Sequence, residues 1–145
     1  MPDVVRSIDI AATPSVVWQW LATPEALRAW MAPELEIDLR PGGAYRMVGA
    51  DGDTTVSGTV LDVVPQDRLV LSWSEEGAGW LCPARLVITL EPIRTGTRVT
   101  LTHEGLAGIG SPRWRDIEQA YERGADRHRL LDHLAQLVDS GRVVA

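Results

Sequence analysis

Most of the chemistry open to this chain rests on three His, two Tyr and six Trp, in a sequence with no Phe and a single Cys. His103 falls in phase with Val99 and Leu101 in an alternating run, so it points to the same side as they do. His128 lies on the apolar stripe of a long helical pattern. If both face one cavity, they could orient a polar ligand group or work as an acid–base pair. The plainer alternative, which the pattern favours, is a pair of satisfied core or rim histidines. Tyr45 and Tyr121 could add hydroxyls to the same wall, and Trp73 and Trp80 could offer flat surfaces to a ring-shaped or acyl ligand. Arg6 interrupts the apolar side of the first strand and reads as an edge-exposed charge, with an anchor for an acidic headgroup as the alternative.

Other chemistries have weak support. His128 and His133 are five residues apart on a helix and diverge by about 140°, so they cannot easily share a metal ion. His103 and Glu104 are neighbours on a strand and point to opposite faces. Arg40-Pro-Gly-Gly43 leads into a strand rather than a helix, so it lacks the helix N-terminus that a phosphate loop needs. Cys82 has no charge pattern around it that would activate a thiol. No metal or cofactor is therefore expected.

The elements that must position these residues follow from periodicity. The first strand, Val4 to Ile10, puts Val4, Ile8 and Ile10 on one face and Ser7 and Asp9 on the other. Thr13-Pro14 and Thr23-Pro24-Glu25 each carry a helix-start signal, predicting two short helices, the second ending near Trp30. Strands are expected over Glu34–Leu39, Ala44–Val48, Thr54–Val64, Arg68–Trp73, Ala84–Leu90 and Gly96–Glu104. Asp51-Gly52 signals a hairpin, and Gly58 marks a bulge or a close approach. Residues 74–83, around Trp80, read as a loop. The last two strands should turn Leu86, Ile88, Leu90, Val99, Leu101 and His103 inward. From Ser111 to Ser140, apolar or small residues recur in steps of three and four through Ile117, Tyr121, Gly124, His128, Leu131, Leu134 and Val138. That pattern predicts one helix of about 40 Å, capped by Ser111 and stopped by Gly141. The result is an α+β fold: an antiparallel meander of about six to seven strands curled around one long helix. One helix cannot fill such a sheet, so an internal cavity is expected.

Composition bounds the function. The 145 residues suit one domain, here residues 1–145, with 45% hydrophobic and 23% charged residues. A net charge of −6 argues against nucleic acid or anionic membrane as the main partner. The lone cysteine fits a reducing compartment, and no leader or membrane-spanning run is evident, so a cytoplasmic protein is expected.

Several segments then resemble a known family. They are Ala12-Thr-Pro-Ser-Val-Val-Trp18, Trp30-Met-Ala-Pro33, Leu39-Arg-Pro-Gly-Gly43, Gly58-Thr-Val-Leu-Asp-Val-Val-Pro65, Arg68-Leu-Val-Leu-Ser-Trp73 and Gly96-Thr-Arg-Val-Thr-Leu-Thr-His-Glu-Gly-Leu106. In this order they resemble the branch named after the activator of the heat-shock-protein-90 ATPase, within the helix-grip superfamily of START and birch-pollen-allergen-type domains. The family often has a Gly-Trp pair in its last helix, where this chain has Gly124-Ala125. The resemblance implies a helix-grip fold. Members of the wider superfamily bind lipids, sterols or polyketides, and some cyclise or hydrolyse them.

The reading favoured on these grounds is a protein that binds a small hydrophobic ligand (a lipid, polyketide or aromatic molecule) between sheet and helix. The pocket is expected to be lined by Trp30, Tyr45, Met47, Trp73, Trp80 and Leu86. Ile88, Leu101, His103, Tyr121 and His128 complete the expected lining. The alternatives are a cyclase- or hydrolase-type enzyme in the same cavity, and a chaperone-interacting stress-related protein. The outer sheet face of Thr, Ser, Arg and Asp looks solvated rather than adhesive. A homodimer through an exposed strand edge is also compatible with the pattern.

Overall fold

A computed structural model describes residues 4–49 and 52–141, without the side chain of Arg127. The sequence builds seven strands among these residues, β1 Val4–Ile10, β2 Glu36–Ile37, β3 Ala44–Val48, β4 Thr55–Val64, β5 Arg68–Glu75, β6 Ala84–Ile93 and β7 Gly96–Glu104. All neighbours pair antiparallel, in the order β1-β7-β6-β5-β4-β3-β2. Short turns make this meander, and the first strand returns to lie beside the last. Val4 pairs with His103 and Ile88 with Leu101, which sets the inner rows of β1, β6 and β7 side by side. The expected inner residues Leu86, Ile88, Leu90, Val99, Leu101 and His103 are all buried.

Two short helices, α1 Pro14–Trp18 and α2 Pro24–Trp30, follow β1, each with Pro in its first turn. Thr23 caps α2 by accepting the Ala26 N–H at 3.1 Å, whereas Thr13 makes no such bond for α1. Gly58 is a close approach: a Cβ there would lie 2.5 Å from the Ser72 carbonyl oxygen and from its Oγ. The β4–β5 register shifts separately, between Val60 and Asp62. The expected strand over Glu34–Leu39 shrinks to the two residues of β2. Of the Asp51-Gly52 turn signal, Asp51 lies outside the described residues, and Gly52 has φ +78°.

The long C-terminal helical stretch is present, with two differences from the sequence pattern. It starts at Trp114 rather than at Ser111; Ser111 Oγ instead accepts the Arg113 N–H at 3.1 Å, holding the turn before the helix. It also breaks at Arg129, whose φ of 51° and ψ of 54° are left-handed, giving α3 Trp114–His128 and α4 Leu130–Asp139. The halves pack differently. In α4, Leu131, Leu134 and Val138 are buried, while none of the described side chains of α3 is fully buried. Small Gly124 and Ala125 lie on its inner side there, so α3 leaves a space beneath it.

Candidate functional site

That space is a cavity of about 500 Å³ between β1, β3, β5, β7 and the two C-terminal helices. Its floor is laid by strand alternation. The inward row of β5 is Leu69, Leu71, Trp73 and Glu75, and the inward row of β7 ends at His103. Met47 and Val56 close one side, Val4 and Ile8 the other, and Tyr121, Ala125, His128 and Leu131 form the roof.

Of the residues singled out from the sequence, Met47, Trp73, Leu86, Leu101, His103, Tyr121 and His128 come together at this wall. Four do not. Trp30 is buried in α2, where its Nε1 donates to the Trp20 carbonyl at 2.9 Å. Tyr45 is buried too, its hydroxyl donating to the Ser72 carbonyl, which ties β3 to β5 across β4. Ile88 is fully buried in the sheet's own core. Trp80 packs against the core from the loop after β5, away from the cavity, with its Nε1 buried and unpartnered. A polar-tipped ring in a sequence therefore did not by itself mark the cavity.

The polar side of the wall is a connected cluster. Trp73 Nε1 donates to Tyr121 Oη at 2.8 Å, and the Tyr121 hydroxyl donates to Glu75 Oε2. The His103 ring sits 4.6 Å from the Trp73 ring, nearly edge-on, and 4.9 Å from the Tyr121 ring. Burial pushes the Tyr121 hydroxyl well above the usual phenol range, with the Glu75 carboxylate beside it acting in the same direction. Burial likewise raises Tyr45. Desolvation lowers His103 to about 4, so its imidazole is neutral at pH 7. His103 Nδ1 is sealed off and has no hydrogen-bond partner.

One member of this environment, Glu75, has no place in the sequence pattern as read, although it continues the Leu69-Leu71-Trp73 alternation by one more step. Arg6 is a charge on the edge strand, as expected, and finds partners on the helices: its Nε donates to Asp126 Oδ1 at 3.0 Å, and Glu122 lies 3.8 Å away. It fastens β1 to α3 at the rim. Among the described residues no cluster of His, Cys, Asp and Glu could hold a metal ion, and no helix is long and apolar enough to cross a membrane.

A meander gripping a C-terminal helical arm, with a space between them that opens at the rim, defines a helix-grip domain. Residues 11–139 match the family described as Activator of Hsp90 ATPase homolog 1-like protein, and the chain belongs to that family. Similar solved structures include protein MLL2253 from Mesorhizobium loti, at 21% identity and TM-score 0.78, covering 98% of this chain and 100% of that one. The Aha1 dimer from Colwellia psychrerythraea, determined in solution, is 16% identical with TM-score 0.71, covering 99% and 100%. DynU16, from the dynemicin biosynthetic locus, is 21% identical with TM-score 0.73, covering 97% of this chain and 48% of that one. At these identities the likeness is one of fold. A search of curated proteins gives no match.

Proposed function

We propose that this protein binds a small, largely apolar ligand in the cavity beneath α3. The observation that carries the reading is the cavity itself: about 500 Å³, with a largely apolar wall, a polar end at Glu75, His103 and Tyr121, and charged residues such as Arg6, Arg123 and Asp126 at the rim. That size and make-up are those of ordinary small-molecule sites, which run from about 300 to 1,000 Å³. Ala125 supports it further, since its small side chain lines the cavity where a larger one would fill the space. In this reading Met47, Trp73, Leu86, Leu101, His103, Tyr121 and His128 contact the ligand.

Binding is favoured over acid–base catalysis because the clearest titratable groups are pushed the wrong way. His103 falls to about 4 and Tyr121 rises, so neither sits near neutral pH, where a general acid or base works best. A chaperone surface has less support. The outer sheet face carries ion pairs such as Arg98–Asp9 at 2.8 Å and Arg85–Glu104 at 2.6 Å, and the exposed large apolar residues Val5, Val16, Leu61 and Leu81 are scattered. A cytoplasmic location, one domain over the whole chain and a homodimer belong to the same proposal; fractionation, limited proteolysis and sedimentation test them in turn.

The test of binding is a thermal-shift screen with fatty acids, sterols, aromatic polyketides and flavonoids, run beside Ala125→Trp. A ligand at a hundred times its Kd stabilises the fold by about 2.7 kcal/mol. The expected result is a shift with one chemical class that Ala125→Trp suppresses. No shift in any class, or a shift that Ala125→Trp leaves intact, overturns the cavity as the binding site.

A further inference from the structure

We infer that the polar end of the cavity is built to take one uncharged hydroxyl group on a ring-bearing apolar ligand, held between Glu75 and His103. The inference rests on the cavity-binding reading above and deepens it by naming the ligand class.

The argument counts the hydrogen-bonding capacity left over once the protein's own bonds are made. The Tyr121 hydroxyl has spent its hydrogen on Glu75 Oε2 and already accepts from Trp73 Nε1, so it offers a ligand no donor. Glu75 keeps acceptor capacity, because a carboxylate has about four lone-pair sites. Among the described residues no cation pairs with it.

His103 is about nine-tenths buried, and its Nδ1 is sealed and unpartnered. A neutral imidazole must carry its proton on one nitrogen. An orphaned buried N–H is rarer than an orphaned lone pair, so the proton belongs on Nε2, leaving the lone pair on Nδ1. The described hydrogen bonds give Nε2 no partner either, and it is not sealed as Nδ1 is, so the cavity-lining ring presents it as a donor.

The site thus offers one carboxylate acceptor and one N–H donor, both beside Tyr121. A hydroxyl matches the pair, donating its hydrogen to Glu75 and accepting from His103. A carboxylate ligand would set like charge against Glu75. A bare hydrocarbon would strip water from both groups and return no bond, which is the costly case for a buried polar pair. The Trp73, His103 and Tyr121 rings, packed edge-on and tilted, suit an aromatic body beside that hydroxyl.

The test is calorimetric titration with a matched set: biphenyl, 4-hydroxybiphenyl, biphenyl-4-carboxylate and 4-(aminomethyl)biphenyl as its ammonium ion. The expected order puts 4-hydroxybiphenyl about tenfold or more tighter than both biphenyl and the carboxylate. In Glu75→Gln, which is nearly isosteric, the penalty against the carboxylate shrinks to within about threefold. In His103→Phe the advantage of the phenol over biphenyl falls. Equal binding of biphenyl and its phenol overturns the inference while the cavity reading survives. Tightest binding by the carboxylate or the ammonium ion overturns it in favour of a charged ligand. Failure of all four probes to bind overturns the inference, while the cavity reading stands or falls on the wider ligand screen. The wild-type series alone decides the point if a variant does not fold.

Discussion

His103 makes the stability of this protein depend on pH in a window where most histidines behave differently. The ring is buried and neutral, with its folded-state value lowered to about 4, whereas an unfolded chain protonates histidine near 6.5. Between those values the unfolded state holds a proton that the folded state refuses. Stability therefore rises with pH through the window and is lost as pH falls from about 6.5 toward 4. At about 1.4 kcal/mol per pH unit, the loss from pH 7.5 to pH 4 comes to about 3 kcal/mol. Carboxylates titrate in the same range, so the quantity to measure is a difference. His103→Phe keeps a ring of similar size, leaves every carboxylate in place and removes the proton-binding group. Urea denaturation of both proteins should show the wild type losing about 3 kcal/mol relative to the variant across that range. An NMR titration should place the His103 ring protons near the same low value. If the difference between the two proteins stays flat with pH, or grows in the opposite direction, His103 is not buried and neutral, and the donor assigned to its Nε2 goes with it.

Three further substitutions probe the surroundings of the cavity. Tyr121→Phe removes the hydroxyl that joins Trp73 to Glu75 and leaves a buried indole N–H without its partner; a loss of about 1–3 kcal/mol in urea denaturation at pH 7 is expected, and no loss would mean that water already serves these groups. Gly58→Ala places a Cβ 2.5 Å from the Ser72 carbonyl oxygen, where the backbone of β5 has no room to yield; a fall of about 1–3 kcal/mol should lower Tm, and an unchanged Tm would refute the close approach. Arg129→Gly tests the helix break through the sign of its effect. At a left-handed position glycine relieves about 1–2 kcal/mol, against which the exposed pair with Asp132 weighs little, so Tm should rise. In an unbroken helix the same change would cost about 1 kcal/mol.

What the sequence could and could not disclose follows from which interactions are local. The strands of the hairpin before the helical arm were readable to the facing of each residue, because alternation is forced by the pleat and one face must be buried. The two short helices were readable because Thr-Pro starts act within four residues. The break at Arg129 was not: the apolar steps run from His128 to Leu131 as they would in a continuous helix, and neither Gly nor Pro marks the place. Trp80 misled because an indole in a loop can turn toward either the core or the cavity, a choice made by tertiary packing. For Arg6 the edge-exposed charge was legible but its partners were not: only the acidic residues of α3, more than a hundred positions later, supply them.

The break also explains why there is a cavity. A continuous amphipathic helix carrying Leu or Val at each inward position would seat itself on the sheet, as α4 does with Leu131, Leu134 and Val138. Packed interiors leave few voids, and an unfilled one costs stability in proportion to its volume. Upstream of Arg129 the cavity-facing side carries Gly124 and Ala125, too short to fill the space, while Tyr121 spans the gap to Glu75 and Trp73 with a hydroxyl rather than filling it with hydrocarbon. The stretch that reads as one apolar stripe thus has two jobs. Its second half closes the core, and its first half roofs a space that Tyr121 crosses by polar ties to Trp73 and Glu75. A fold selected for stability alone would gain from larger side chains at Gly124 and Ala125; their size makes sense if something else occupies the space.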